Sequence, residues 1–283
     1  FPISQRGRVM GFMQMGFGAS QVLGIPISLY FANEWGWQSP FLMIVGLSTI
    51  ILLIIIVKLQ PLIKHLDNQN EHSALIHLWR TIANRNYRIG FLATAFLSLG
   101  GFMMMPWGSA FAINNLHVTP HQLPILFMVA GISTLIIMPI IGKFSDRIDK
   151  FKLFTIASIC MMVIVIIYTN LTPVPFWIIL VINVIMMIGV MSRMVPSSAL
   201  ASALPEMHDR GAFMSINSSL QQIAGGVAAA IGGMIVVQKD NFSPIEHYDT
   251  LGYVIVAITI VCIFLVHRVS KLVKLNVNAS QVQ

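Results

Sequence analysis

Apolar runs of about 20 residues recur along the whole chain and are separated by short polar stretches. A helix of that length spans the hydrocarbon core of a bilayer. The runs show no two-residue alternation, so helices rather than barrel strands would satisfy the backbone in lipid. The sequence therefore predicts an all-α membrane protein with eight spanning helices, at about residues 9–30, 39–59, 88–113, 122–141, 151–169, 174–200, 211–237 and 250–267.

The composition and the placement of charge support this interpretation. Of the 283 residues, 56% are hydrophobic and 10% are charged, which is more apolar surface than one soluble core could bury. With eight spans, all 17 Lys and Arg residues except Lys239 and Arg193 fall on one side of the membrane. By the positive-inside rule that side is the cytoplasm. We therefore expect a multi-pass protein of the cell membrane, the inner membrane of a bacterium, with both termini cytoplasmic.

The net charge of +7 follows from this topology and favours contact with anionic lipid. No nucleic-acid-binding motif accompanies it, so no nucleic-acid partner is expected. Cys160 and Cys262 lie singly in apolar runs. The three His residues between the second and third runs lack a shared helical spacing. Neither a metal site nor a cofactor is predicted.

A short motif occurs twice. R-G-x-x-M begins at Arg6 and again at Arg210, each time at the polar edge of a Gly-rich and Ala-rich run. Parallel repeats related by an axis along the membrane normal are known in transporters. If the chain is built from such repeats, roughly 115 to 125 residues, or four spans, are expected upstream of Phe1.

The polar stretch GKFSDRIDKFK, residues 142–152, lies between the fourth and fifth runs. It resembles the loop signature of the major facilitator superfamily, G-x-L-a-D-r-x-G-r-k-x-x-l, in the copy between the eighth and ninth helices. Two positions differ from this signature: Asp149 replaces the second Gly, and Phe151 replaces a basic residue. The flanking stretches, such as SRMVPSSALASALPEMHDRGAFMSINSSLQQIAGG, resemble the arabinose-efflux and drug:proton antiporter branch of that superfamily.

This resemblance implies the superfamily's fold, with helices five to twelve of twelve present. Residues 1–60 would be the last two helices of an N-terminal six-helix half, and residues 88–283 the C-terminal half. Residues 61–87 would form a cytoplasmic linker, in which HSALIHLWR is expected to be either a short amphipathic helix on the lipid surface or plain solvated chain.

The resemblance implies a secondary transporter that exports a small organic solute, a drug or a sugar, with protons as the candidate coupling ion. An enzyme is not expected, because no span interior holds the His, Asp or Glu that would serve a nucleophile or a metal. The alternative function is that of a non-transporting structural or sensing membrane protein.

The charged loop is also a candidate gate. The positive end of a helix dipole lies at its amino terminus, and Asp146 could clamp the helix that begins at Arg210. The alternative is that these charges only obey the positive-inside rule. The predicted gate residues are Gly142, Asp146, Arg147, Lys150 and Arg210.

Several side chains inside the spans are candidates for substrate binding. Arg193 is the one charge in the interior of a predicted span, where a guanidinium must face a cavity or a partner, unless it extends to the cytoplasmic face. Helix breakers cluster at residues 100–108, and broken helices mark transporter sites. Packing is the alternative role for each of the other candidates: Met104, Trp107, Asn114, Asn183, Gln221 and Gln222.

Overall fold

The computed structural model describes residues 6–58, 74–119, 121–240 and 242–281. Within these ranges the fold is helical apart from one isolated β-bridge between Val237 and Glu246. A π-helical turn, Ser20–Gly24, joins α1 to α2 without a break. The helices are α1 (Arg6–Ala19), α2 (Ile25–Trp35), α3 (Ser39–Lys58), α4 (Ala74–Ala83), α5 (Arg85–Phe102), α6 (Gly108–Asn114), α7 (Leu123–Arg147), α8 (Lys150–Thr169), α9 (Phe176–Ala203), α10 (Arg210–Ile235) and α11 (Tyr248–Gln281).

Helices occupy all eight predicted apolar runs. In the described part of the chain, five segments are each long and apolar enough to cross a membrane: α3, α7, α8, α9 and residues Tyr248–Leu275 of α11. The first run is divided by the π-helical turn, and the third is divided between α5 and α6. The all-helical membrane fold is confirmed. The count of eight spanning helices, out of the twelve expected for the superfamily, stays a prediction.

The break predicted in the third run is present. Helix α5 ends at Phe102, and α6 begins only at Gly108. The intervening Met103 is fully buried, and its carbonyl oxygen lies against α10. Small residues on α10 allow this approach, because a Cβ on Gly232 would lie 3.0 Å from that oxygen.

Part of the predicted linker is a helix. Residues 59–73, including His65 and His72, lie outside the described residues. Helix α4 covers residues 74–83 and contacts α10, while its Trp79 points outward with 71% of its surface exposed. The described part of HSALIHLWR, residues 74–80, is therefore helical, as the first of the two alternatives predicted.

Helix α1 and the π-helical turn lie against α7 at two glycine contacts. A Cβ on Gly11 would lie 2.8 Å from the Met138 carbonyl oxygen and 3.3 Å from the Gly142 Cα. A Cβ on Gly131 would lie 3.0 Å from the Gly18 carbonyl oxygen. Lipid tails are as apolar as the side chains, so the hydrophobic effect does not hold two helices together in a membrane. Small residues instead let the helix backbones approach closely and gain van der Waals contact. The α1–α7 contact therefore depends on glycine on both helices.

We expect Gly131→Ala to separate α1 from α7. The new Cβ would lie 2.6 Å from the Val22 Cγ2 and 2.9 Å from the Gln21 Cβ, so the helices must move apart. Overpacking of this kind costs about 1–3 kcal/mol. Thermal unfolding of the purified protein measures the effect. Gly16→Ala is the control, because a Cβ there meets nothing within 4 Å. Equal melting temperatures for both variants would contradict the glycine contact.

Candidate functional site

A cavity of about 270 Å³ lies inside the helix bundle. Its wall comes from the π-helical turn, the end of α5, the segment between α5 and α6, and from α6 to α11. The contributions of α7 and α11 come from their first turns, and that of α8 extends to its last turn. The cavity is therefore displaced from the end of the bundle where α1, α8 and α10 begin, which we call the basic end.

Methionine dominates the apolar wall. Its unbranched, polarisable side chain adapts to apolar ligands of different shape. Such a wall suits a small organic molecule better than an inorganic ion. Among the described residues, no group of three His, Cys, Asp or Glu could hold a metal ion. The methionines of the wall are Met104, Met105, Met161, Met186, Met187, Met191 and Met194.

Three polar atoms belong to residues of this apolar wall. They are the Gln21 Oε1, the Asn183 Oδ1 and the Tyr248 hydroxyl, all buried and without a hydrogen-bond partner in the described structure. A buried polar group without a partner is costly. A ligand that enters the cavity can bind these atoms once the side chains that shield them move.

Only some of the predicted substrate-binding residues reach the cavity. Met104, Asn183 and Gln221 are part of its wall. Trp107 instead packs against α10, with its Nε1 3.2 Å from the position of a Cβ on Gly232. Asn114 and Gln222 are not on the wall either.

Sequence reasoning missed most residues of the wall, and Gln21, Met161 and Tyr248 are three of them. Gln21 is an amide within the first apolar run, and Tyr248 lies two residues before the last one. An amide inside a span could have singled out Gln21. No local signal distinguished Met161 from other methionines, because its position depends on how α8 meets α9.

Arg193 is buried behind the cavity wall, with 2% of its surface exposed. Its Nη1 lies 2.8 Å from the Met161 Sδ, and its Cζ lies 5.7 Å from the centre of the Phe154 ring. Its Nε and Nη2 are buried and have no hydrogen-bond partner in the described structure. The guanidinium does not extend to solvent, so that alternative is wrong.

At the basic end, Asp146 contacts the beginning of α1. The backbone N–H of Arg8 donates to the Asp146 Oδ2 at 3.0 Å. That amide lies in the first helical turn, where N–H groups lack intrahelical acceptors and the dipole is positive. The predicted chemistry of a carboxylate at a helix amino terminus is therefore present. In this structure the bond reaches the R-G-x-x-M copy at Arg6, whereas the sequence predicted a contact with the copy at Arg210, which stays a prediction.

The other predicted gate residues have different surroundings. Gly142 lies in the glycine contact between α7 and α1. The Arg147 side chain is exposed, and Lys150 is the first residue of α8. Arg210 is the first residue of α10, and its buried Nε has no hydrogen-bond partner in the described structure.

The beginning of α10 is connected to the linker helix α4 through Asp209. The His77 Nε2 lies 2.7 Å from the Asp209 Oδ1, and the Tyr87 hydroxyl donates to the Oδ2 at 2.9 Å. Burial and the Asp209 carboxylate raise the pKa of Tyr87 to about 12, so the phenol keeps its proton at neutral pH. The Asp209 carboxylate, directly before the second R-G-x-x-M copy, thus binds α4 and the beginning of α5.

Asp149 departs from the glycine of the loop signature and has its own structural role. Its Oδ1 accepts from the backbone N–H groups of Phe151 and Lys152, both at 3.0 Å, which caps α8. Its Oδ2 lies 2.7 Å from the Lys274 Nζ on α11. Partial burial alone would raise the pKa of the Asp149 carboxyl, but the hydrogen bonds from Lys274 and the two amides outweigh it and lower that pKa.

A helical membrane bundle that encloses a ligand-sized, mostly apolar cavity is the architecture of a solute transporter. The sequence profile of the Major Facilitator Superfamily matches residues 1–229 and, in a second alignment, residues 91–279. The chain belongs to the Major Facilitator Superfamily. Members of this family are generally membrane transporters and not enzymes.

The chain is also similar to the uncharacterized MFS-type transporter YbcL of Bacillus subtilis (strain 168). The two are 25% identical over 263 residues, which cover 92% of this chain and 65% of the relative. The chain thus spans slightly less than two thirds of the length of that relative. The match agrees with membership of the Major Facilitator Superfamily.

We expect Asp149→Ala to destabilise the protein by about 1–2 kcal/mol, because it removes both the cap of α8 and the ion pair with α11. The folded-state pKa of Asp149 is lowered, so its contribution is complete above the ordinary Asp pKa of about 4 and is lost as the pH falls through the folded value. Thermal unfolding at pH 7 and below pH 4 tests both statements.

Lys274→Met is the matched variant, since it removes the ion pair and leaves the cap. The exposed Lys274 side chain implies a cost below about 1 kcal/mol. An equal loss of stability in both variants, or a loss in Asp149→Ala that does not shrink in acid, would contradict the role of the cap.

Proposed function

We propose that this chain contains the solute-binding cavity of a secondary transporter that moves a small organic molecule across the membrane by alternating access. The cavity carries this proposal, because its apolar wall and its unpartnered amide and hydroxyl groups suit a small organic ligand. Membership of the superfamily supports the same class of function.

The contact at the basic end supports an alternating mechanism. Glycine packing and the bond from Arg8 to Asp146 hold α1 against α7 there. The wall of the cavity lies further along the bundle, at the first turns of α7 and α11. We propose that this is the state closed at the basic end, and that transport requires α1 and α7 to separate.

The finer statements come from the resemblance to the arabinose-efflux and drug:proton antiporter branch. We propose export of a drug or a sugar from the cytoplasm, with protons as the coupling ion. Among the residues that the structure describes, every Asp and Glu lies in a loop or at a helix end. Proton coupling would therefore have to use groups other than a carboxylate in the middle of these helices.

Transport by the full-length protein in proteoliposomes tests the function. We expect saturable flux of one solute from a panel of sugars, cationic drugs and organic acids. Asn183→Leu should reduce that flux by about fivefold or more, because a lost hydrogen bond in a buried site costs about 1–3 kcal/mol. Repeating the assay with and without a proton gradient tests the coupling.

Asn217→Leu is the control for this experiment. Asn217 is also buried with an unpartnered Oδ1, but it lies off the cavity wall. Its replacement should leave the apparent affinity for the solute unchanged. Absence of any solute-dependent flux in the native protein would favour the structural or sensing alternative.

Asp146→Asn tests the gate. The variant loses a charge at the first turn of α1, where such an interaction is worth about 0.3–1 kcal/mol, and so favours opening at the basic end. We expect faster labelling of a cysteine introduced at Met15, beneath the α1–α7 contact, by a hydrophilic maleimide. The same protein without the introduced cysteine gives the background from Cys160 and Cys262.

Asp149→Asn is the matched control, because it makes the same charge change in the same loop but contacts α8 and α11. It should leave the labelling rate unchanged. The gate proposal fails if Asp146→Asn labels no faster than the native protein, or if both variants accelerate labelling equally.

A further inference from the structure

The charge of Arg193 has no counterion in the described structure. Its guanidinium is almost fully buried in α9, and the groups next to it are the Met161 thioether and the Phe154 ring. The Cys262 sulfur also lies beside it as a weak, neutral acceptor, while the Cys262 S–H donates to the Ala93 carbonyl oxygen with a sulfur–oxygen distance of 3.8 Å. None of these groups carries a negative charge that could balance the guanidinium.

No carboxylate among the described residues lies near Arg193 in the helix order. Every described Asp and Glu is in a loop or at a helix end, whereas Arg193 is well inside α9 (Phe176–Ala203). A cation buried without an anion or adequate hydrogen bonds is strongly unfavourable. A site that keeps such a cation is suited to an anion that arrives from outside the fold.

The position of Met161 gives that anion a route. Met161 touches the Arg193 Nη1 and is at the same time part of the cavity wall, together with Met191 and Met194 from the helix that carries Arg193. A methionine side chain has three rotatable bonds and can change rotamer at low cost. Rotation of Met161 would therefore expose the guanidinium to a ligand in the cavity.

The free donors favour a carboxylate. The Nε and Nη2 of Arg193 are the two nitrogens without partners, and they form one edge of the planar guanidinium. A carboxylate accepts two parallel hydrogen bonds from such an edge, which is stronger than a single bond to a neutral group. A spherical anion such as chloride cannot accept both bonds with the same geometry.

We propose that the cavity binds an organic carboxylate, whose apolar body contacts the methionine wall and whose carboxylate pairs with Arg193. This inference rests on the proposed transport function and narrows its substrate class to organic anions. The three unpartnered polar atoms of the wall would contact neutral hydrogen-bonding groups of the same solute.

A matched pair of probes, 2-naphthoate and 2-naphthamide, tests the charge requirement. Both are measured by equilibrium binding to the purified full-length protein in nanodiscs of zwitterionic lipid. We expect naphthoate to bind at least about tenfold more tightly than naphthamide, as one charged hydrogen-bonded pair implies. Equal affinities for the two probes would overturn the proposal.

Arg193→Met then tests the residue. We expect it to weaken naphthoate binding by about tenfold or more and to leave naphthamide binding unchanged. Arg193→Lys should keep part of the preference, because it retains the charge and loses the planar donor edge. Unchanged naphthoate binding in Arg193→Met would overturn the proposal.

Thermal unfolding shows whether these variants fold and supplies a second readout. Naphthoate should raise the melting temperature of the native protein and not that of Arg193→Met. Chloride at the same concentration should not reproduce the rise, and an equal rise with chloride would overturn the carboxylate class.

Flux assays separate this inference from the function on which it rests. Saturable transport of a neutral or cationic solute that is insensitive to Arg193→Met would support transport and overturn the organic-anion class. A preference for naphthoate that depends on Arg193, without flux of any solute, would support the binding site while the transport function fails.

Discussion

The close approach of α1 to α7 is the packing on which the other features of the bundle depend. Glycine lies on both sides of this contact, so the two backbones come nearer than side chains would allow. The bond from the Arg8 amide to Asp146 reinforces it at the basic end. The same contact holds Gln21 next to Gly131 and on the cavity wall. The contact at the basic end and the position of Gln21 on the cavity wall thus depend on one helix crossing.

An apolar cavity beside an isolated cation has a clear electrostatic consequence. Water is excluded from the surroundings of Arg193, so its attraction for an anion is much stronger than at a solvated surface. The neutral amides and the Tyr248 hydroxyl of the wall would orient a ligand through hydrogen bonds and add no charge. Such a site accepts apolar groups of different shape but requires a negative charge on the ligand. A transporter with this site can select a chemical class instead of a single compound.

Much of the fold could be predicted, and less of the site. The helices at the eight apolar runs and the break near residues 100–108 follow from local properties, namely hydrophobic length and helix-breaking residues. The role of Asp149 as a cap was also readable in principle, since Asp before a helix is a common cap. The partner of Asp146 was not, because R-G-x-x-M occurs twice and local sequence cannot say which copy α7 meets. Trp107 was placed on the cavity for a similar reason, whereas α10 covers it.

By itself the sequence determined that the chain is a helical membrane protein, where its helices lie, and that Arg193 is its one charge in the interior of a predicted span. Hydrophobic length and charge are sufficient for these conclusions, because each helix satisfies its own backbone in lipid. The tertiary structure decided that Asp146 contacts α1, that Arg193 is buried behind Met161, and which residues form the cavity. These results depend on contacts between helices that are distant in the chain, and small differences in packing at glycine select among many possible helix pairs.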